Sequence, residues 1–162
     1  MQFRSFTIAG CEVTIPMPHS YADCAELIRS DSFRHNGRRD SLLRIWLSSW
    51  SRPSVGFSFW WRLAQHRRGW LYPLARFMAG RYKRGYGIFI PPRTIVGYGL
   101  YIQHCHGVVI NPSAVIGNNF TIGQFLTIGA NTDRAAMIGH NVYIGPGVSV
   151  VDDCLLYTSP SP

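Results

Sequence analysis

The sequence predicts a mainly β protein in which a parallel β-helix follows a small α-helical N-terminal region. An aliphatic residue returns every six positions between residues 90 and 151, and a glycine often comes directly after it. This period fits neither a helix of 3.6 residues per turn nor one long strand. It suits a coil of three hexads, each a short strand and a turn, whose aliphatic side chains stack inside. Aromatic and basic residues dominate the chain before it.

The aliphatic positions fall into three phases of the same period. They are Ile90, Val96, Ile102 and Val108 in the first phase, Ile110, Ile116, Ile122 and Ile128 in the second, and Ile138, Ile144 and Val150 in the third. A solenoid keeps its core register, so extra residues leave the coil as loops that often build a binding face. Two such loops are predicted, with two extra residues around 104–107 and four around 131–134.

Composition and charge narrow the classes of partner. With 162 residues, 46% of them hydrophobic, the chain is long enough for a packed core and is not disordered. Its formal net charge is +8, and no acidic residue occurs between Asp40 and Asp133. Such a chain favours an anionic partner: a phosphorylated cofactor, an acidic glycan, a membrane surface or nucleic acid.

The cysteines and the apolar runs bear on location. The four cysteines form neither a CxxC pair nor a metal-ligand spacing, which favours reduced thiols in the cytoplasm. The N-terminus lacks a signal-peptide pattern, and no apolar run reaches the eighteen or so residues of a spanning helix. We expect a cytoplasmic protein, with peripheral membrane contact as an alternative.

Before the coil, strands are expected at 6–8 and 13–15, and helices over about 21–30, 40–50, 56–67 and 71–84. Ser20 with Asp23 is a capping signal for the first helix, and Asp40 or Ser41 is expected to cap the second. Pro53 and Gly56 are expected to break the second helix before the third begins.

Residues 44–84 contain five tryptophans and nine basic residues without an acid. One interpretation is a helical cap whose aromatic side chains cover the open end of the β-helix while the arginines face water. The other is an amphipathic segment on an anionic membrane surface, where tryptophan and arginine are frequent. Nucleic-acid binding is not predicted, because no recognition motif accompanies the charge.

These patterns divide the chain into three parts. Residues 1–86 form the lead-in with the aromatic and basic helices, and residues 87–153 form the β-helix. Residues 154–162 abandon the six-residue period and end in Tyr-Thr-Ser-Pro-Ser-Pro. We expect this tail to be a truncated or non-native end, because solenoids usually finish in a capping element.

Three stretches of the coil resemble the hexapeptide-repeat acyltransferases: Gly-Leu-Tyr-Ile-Gln-His at 99–104, Gly-Val-Val-Ile-Asn-Pro at 107–112 and Val-Tyr-Ile-Gly-Pro-Gly at 142–147. Over about residues 55–153 the chain is most similar to the serine O-acetyltransferase-like branch, which includes relatives that acetylate capsule and exopolysaccharide sugars. The resemblance implies a left-handed β-helix and an acetyl-CoA-dependent O-acetyltransferase without a metal. It also implies a homo-oligomer, usually a trimer, with acetyl-CoA bound between neighbouring subunits.

The resemblance also implies site residues. His104 matches the family's catalytic histidine, and an imidazole is suited to take the proton of a hydroxyl that attacks a thioester. His106 is the alternative base, and Gln103 and His106 flank the acceptor. Cys105 is disfavoured as a nucleophile, because neighbouring residues on an extended chain point to opposite sides. Arg134 matches a substrate-binding arginine that could grip a carboxylate or phosphate. The positions that match the cofactor groove are Gly129, Ala130, Gly145 and Gly147.

Three positions depart from the family pattern. The acid that pairs with the histidine is Phe89 here, the acid before the histidine, linked to serine binding, is Gln103, and the histidine after the arginine is Ala135. The acceptor hydroxyl is therefore that of L-serine or of a sugar or polysaccharide precursor.

Two alternatives of other classes stay open. One is a catalytically silent trimeric β-helix that serves as a scaffold or membrane-surface assembly protein. The other is a carbonic-anhydrase-like metal site, for which the spacing of His104, His106 and His140 gives little support.

Overall fold

The computed structural model describes residues 1–8, 10–131 and 134–156. Within these ranges, two strands and four α-helices come first, and ten short strands wound into a parallel β-solenoid follow. The predicted order of elements is therefore confirmed. Of the tail predicted at 154–162, residues 157–162 lie outside the described residues.

The N-terminal hairpin covers one face of the solenoid. Strands β1 (Gln2–Ile8) and β2 (Cys11–Met17) pair antiparallel and contain both predicted strand segments. Ile8, Val13 and Ile15 are buried in one cluster with Val115 of the solenoid. In β2 the apolar Val13 and Ile15 alternate with polar residues, which explains why one face packs and the other meets water.

The helices agree with the predicted ones in number and approximate place. They are α1 (Tyr21–Asn36), α2 (Leu42–Ser48), α3 (Pro53–Gln65) and α4 (Tyr72–Tyr86). Ser20 and Asp23 form the predicted capping box, and Ser41 caps α2. Helix α2 ends at Ser48, before Pro53, as predicted, whereas the prediction for Gly56 is wrong. Pro53 begins α3, where its missing N–H needs no partner, and Gly56 lies inside α3, where Tyr82 and the Ser49 carbonyl leave no room for a Cβ.

Three parallel sheets form the walls of the solenoid. The first wall has β3 (Ile95–Val96), β6 (Val115–Ile116), β9 (Met137–Ile138) and β12 (Leu155–Leu156). The second has β4 (Tyr101–Ile102), β7 (Thr121–Ile122) and β10 (Tyr143–Ile144), and the third has β5 (Val109–Ile110), β8 (Thr127–Gly129) and β11 (Ser149–Val151). Strand β12 continues the coil beyond residue 153, where the predicted boundary lies.

The pairing register confirms the six-residue period and both predicted insertions. Val109 pairs with Thr127, eighteen residues on, which is one coil of three hexads. Tyr101 pairs with Thr121, twenty residues on, because two extra residues lie between β4 and β5. Val115 pairs with Met137, twenty-two residues on, because four extra residues lie between β8 and β9. All eleven predicted core positions are at most 7% exposed.

The aromatic residues of the helical region divide into two groups. Phe57 and Trp61 of α3 lie in the same buried cluster as Ile88 and Ile90, at the start of the solenoid. By contrast, the aromatic side chains of Trp50, Trp70 and Phe77 are exposed, Trp70 by 80%, and the side chains of Leu43 and Leu47, close to Trp50 in sequence, are exposed as well. Among the described residues, no helix combines the length and the apolar character that crossing a bilayer requires.

Candidate active site

The predicted catalytic histidine lies on a corner of the solenoid, in the turn of residues 103–108 between β4 and β5. His104 and His106 are exposed, whereas Cys105 between them is 6% exposed and belongs to the core. The amide of His106 donates to the carbonyl of His104 at 2.8 Å and tightens the turn. Both imidazoles are therefore accessible to a substrate, and the thiol is not.

Burial also changes the chemistry of the thiol. It raises the pKa of Cys105 to about 12, so the thiolate that a nucleophile requires is scarce near neutral pH. This supports the prediction that Cys105 does not act as an acyl-accepting nucleophile.

The corner is held by the coil below and by helix α4. Gly107, with φ of +64°, donates to the carbonyl of Tyr86, and the amide of Phe125 donates to the carbonyl of His106, both at 2.9 Å. A Cβ at Gly107 would collide with the Phe125 ring. The insertion is thus a fixed turn with defined backbone partners.

The two imidazoles differ in their surroundings. The ring of His106 meets the ring of Tyr86 edge-on, with centroids 5.4 Å apart. No hydrogen bond or ion pair of the His104 side chain occurs within the described residues. Phe89, where the family has an acid, is 40% exposed and lies under the Lys83 ammonium, 4.2 Å from the ring centroid. Within the described part of the chain, then, His104 has no carboxylate that orients it.

Gln103 lies at the start of the same corner. Its amide donates to the carbonyl of Ile122 at 2.9 Å, and its side chain is exposed. The structure therefore brings Gln103, His104 and His106 together. Sequence reasoning missed Tyr86, because it belongs to the last turn of α4 and lies outside the six-residue pattern.

Arg134 lies on a different corner. It lies between the end of β8 and the start of β9, and the amide of Ala135 donates to the Ser113 hydroxyl at 3.0 Å in the coil above. Arg134 is exposed and Ala135 is buried. Within one chain, Arg134 and His104 therefore belong to neighbouring edges of the solenoid and do not share a site.

The four predicted cofactor positions are divided between the same two edges of the solenoid. Gly145 and Gly147 lie in the turn between β10 and β11, on the edge that carries His104, and the Gly147 amide donates to the carbonyl of Gln124 at 2.9 Å. Gly129 ends β8 and Ala130 follows it, on the edge that carries Arg134. A Cβ at Gly129 or Gly147 would meet nothing within 4 Å. The roles of all these residues stay predictions.

No group of three or more His, Cys, Asp or Glu side chains among the described residues has the geometry to hold a metal ion. His140 lies on the third corner, where its Nδ1 accepts a hydrogen bond from the amide of Asn118 at 2.8 Å. Within one chain, His140 therefore lies on a different corner from His104 and His106.

The parallel sheets and the six-residue period define a parallel β-helix protein built from hexapeptide repeats. No protein-family model matches the chain. A probable serine acetyltransferase 5 of rice (Oryza sativa subsp. japonica) is 37% identical over 92 residues, which cover 54% of this chain and 26% of the rice protein. The match therefore spans about a quarter of that relative's length.

Two solved structures show the same fold. A Neisseria gonorrhoeae serine acetyltransferase in complex with serine has a TM-score of 0.59 and 23% identity, over 87% of this chain and 68% of that one. A serine acetyltransferase in complex with CoA has a TM-score of 0.56 and 24% identity, over 78% and 53% of the two chains. The predicted resemblance and the left-handed β-helix are thus confirmed: in sequence and in fold, the chain is similar to serine acetyltransferases.

Proposed function

We propose that the protein is an acetyl-CoA-dependent O-acetyltransferase in which His104 is the general base. The observation that supports this most directly is the exposed His104 imidazole on a rigid corner of a β-helix whose relatives are serine acetyltransferases. The complexes of similar proteins with CoA and with serine support the class of donor and acceptor.

The proposed reaction needs only one base and one stabilised oxyanion. An imidazole nitrogen of His104 takes the proton of the acceptor hydroxyl as its oxygen attacks the thioester carbonyl carbon. The tetrahedral oxyanion requires hydrogen-bond donors, for which backbone amides of the coil turns are the candidates. Its collapse breaks the carbon–sulfur bond, and the leaving thiolate takes the proton back from the imidazolium. The products are the O-acetyl ester and free CoA.

We propose that a second subunit completes the site. His104 and Arg134 occupy neighbouring edges of one chain, so a cyclic trimer can bring the His104 edge of one subunit to the Arg134 edge of the next. Apolar side chains beside the His104 edge support such contact, since Phe125 and Val109 are 62% and 40% exposed. Gly145 and Gly147 would then face Gly129 and Ala130 across the same interface, where acetyl-CoA is proposed to bind.

The acceptor is the hydroxyl of L-serine or of a sugar precursor. Arg134 would grip a carboxylate or phosphate of that acceptor through paired hydrogen bonds. Because Gln103 and Ala135 stand where the family has an acid and a histidine, a neutral or phosphorylated sugar fits as well as serine does.

A second proposal concerns location in the cell. The exposed Trp50 and Trp70 lie within a helical region whose basic residues have no acid among them in sequence. Such a surface suits peripheral contact of a cytoplasmic protein with an anionic membrane.

The test of the enzyme is release of CoA from acetyl-CoA with L-serine and a panel of sugars as acceptors. We expect His104→Ala to lower kcat by about 10² to 10⁴-fold, the usual contribution of a general base. His106→Ala is the matched control from the same turn and should lose far less. Full turnover by His104→Ala, with the loss in His106→Ala instead, would contradict the assignment of the base.

Mixing two inactive variants tests the shared site. If His104 and Arg134 come from different subunits, co-expressed His104→Ala and Arg134→Ala chains form intact sites at about one quarter of the trimer interfaces. The mixture should then recover about a quarter of wild-type turnover. No recovery in a mixture proven to be mixed trimers would show that both residues act in one subunit's site.

A catalytically silent trimeric scaffold is the second candidate function. It is favoured by one observation: within the described residues, no carboxylate orients His104, and Phe89 stands at the family's acidic position. In that case, a trimer seen by analytical ultracentrifugation would bind no acetyl-CoA and release no CoA with any acceptor.

A further inference from the structure

A large cleft separates helix α4 from the first coil of the solenoid, and Phe89 is among its lining residues. Its volume is about 710 Å³, which lies in the range of sites for ligands larger than a simple ion. Four of its lining side chains carry positive charge: Arg67, Arg76, Lys83 and Arg93. We call it the basic cleft.

Among the described residues, the cations of the basic cleft have no counter-charge. No acidic residue lines the cleft, and none of the salt bridges among the described residues involves these four side chains. Like charges that converge on a concave surface repel one another and raise the local potential. This potential would be relieved by an anionic ligand.

The floor of the cleft is apolar. Ile88 and Ile90 are buried there, and Phe57, Pro91 and Pro92 complete the surface. A small inorganic ion would make no favourable contact with such a floor. It suits the uncharged part of a ligand whose charged group lies among the arginines.

A second cleft of about 510 Å³ adjoins the first and shares Arg67, Pro92 and Arg93 with it. It adds Arg68 and the side chains of His19 and His66, again without an acid among its lining residues. Thr94 also lines it, and its hydroxyl is buried without a hydrogen-bond partner in the described part of the chain. The cation-rich lining therefore continues beyond the basic cleft.

From these observations we infer that the basic cleft is a binding site for a phosphate ester with an apolar or planar moiety. Arginine matches the geometry of phosphate with two parallel hydrogen bonds, and three of the four cations are arginines. The ligand is either a soluble nucleotide-type diphosphate or the phosphate headgroup of a membrane lipid, which share this chemistry.

The test is direct binding by the full chain, measured at matched ionic strength by calorimetry. Uridine diphosphate and inorganic pyrophosphate are the soluble probes. Vesicles of phosphatidylcholine with and without phosphatidic acid are the membrane probe. Arg76→Gln with Arg93→Gln removes two cations of the cleft, and Arg84→Gln with Arg81→Gln is the matched control from the exposed side of α4.

The double variant in the cleft should bind the relevant probe at least about tenfold more weakly, because each lost charge-assisted hydrogen bond costs about that factor or more. The control should stay within about twofold. Uridine diphosphate binding with this dependence indicates a soluble ligand, and binding only to phosphatidic acid vesicles with this dependence indicates a lipid. Equal losses in the cleft variant and the control, or no binding of any probe, would overturn the site.

A steric variant tests the cleft without changing charge. Gly80 lines the basic cleft, and a Cβ there would meet nothing within 4 Å. Gly80→Phe should fill part of the cleft and weaken binding, while the thermal unfolding temperature without ligand should not fall, since a helix gains from losing a glycine. Unchanged affinity in a folded Gly80→Phe variant would contradict the location of the site.

Discussion

Arg62 and Asp31 form a salt bridge that is sealed between the helices and the first coil of the solenoid. The Nε of Arg62 donates to Oδ2 of Asp31 at 2.8 Å and its Nη2 to Oδ1 at 3.1 Å, and neither side chain is more than 1% exposed. Arg62 also donates to the carbonyls of Val96 and Gly97, and Asp31 accepts from the amide of Leu100. The pair thus supplies hydrogen bonds to backbone groups of the first coil, which no earlier coil covers.

We expect Asp31→Asn to lower the free energy of unfolding by about 3–5 kcal/mol, the usual cost of removing one partner of a buried ion pair. Urea denaturation followed by circular dichroism measures the change. Glu26→Gln is the control, because Glu26 on the same helix binds the Tyr98 hydroxyl at an exposed site and should cost less than about 1 kcal/mol. Similar costs for the two variants would show that the buried pair does not join the helices to the solenoid.

His35 makes stability depend on pH. Its ring packs edge-on against Tyr101, and burial lowers the pKa of His35 to about 4. The unfolded chain binds this proton below about pH 6.5 and the native chain does not, so the free energy of unfolding falls as the pH drops from 6.5 toward 4. The full effect is on the order of 3 kcal/mol.

Urea midpoints of the wild type and of His35→Gln at pH 7, 6 and 5 measure this effect. The wild type should lose stability steadily across that range, whereas His35→Gln should lose less, whatever its stability at pH 7. His19→Gln, at an exposed histidine, should keep the wild-type slope. If all three proteins have the same slope, a group other than His35 takes up the proton.

The reactivity of the thiols tests how the 103–108 turn is built. Cys11 is exposed, while Cys105 is buried with its pKa raised to about 12. Because Cys105 is buried and its thiol is not ionised at pH 8, a disulfide reagent should label Cys11 within minutes and Cys105 only after unfolding. Peptide mass spectrometry locates the label, and Cys11→Ser serves as the control. Rapid native labelling of Cys105 would mean that the turn opens and that the thiol reaches the candidate site.

The solenoid was predictable because its signal is local and repeated. Ile110, Ile116, Ile122 and Ile128 are each fully buried, as their six-residue spacing predicts. The insertions were predictable for the same reason, since a slip in the period must leave the core. The prediction for Gly56 failed because the sequence alone does not show that Tyr82 and the Ser49 carbonyl pack against this position inside α3.

The candidate site was predictable only in part. His104 follows from the resemblance, and its exposure follows from its place in an insertion. The position of Arg134 relative to His104 was not predictable from the sequence, because spacing along the chain does not say which corner of the solenoid a loop occupies. The buried salt bridge between Arg62 and Asp31 was missed for another reason. Charged residues that lie far apart in sequence are expected to be solvent-exposed, because the sequence does not show that the fold brings them together.

Substitutions at two glycines in matched positions test stability and donor binding separately. Gly123 and Gly145 each follow a core isoleucine, one coil apart, but a Cβ at Gly123 would lie 2.6 Å from the Pro146 nitrogen, whereas a Cβ at Gly145 would meet only the Tyr143 hydroxyl at 3.9 Å. In this chain we expect Gly123→Ala to lower the free energy of unfolding by about 1–3 kcal/mol through overpacking. Gly145→Ala should change it by less than about 0.5 kcal/mol.

The same pair tests the proposed cofactor groove. If the pantetheine arm of acetyl-CoA lies against the open turn at Gly145, the extra methyl group of Gly145→Ala occupies its path and raises KM for acetyl-CoA several-fold with a smaller effect on kcat. The KM for the acceptor should stay near the wild-type value, because only the donor runs along this turn. An active Gly145→Ala variant with wild-type KM for acetyl-CoA would place the donor elsewhere on the solenoid.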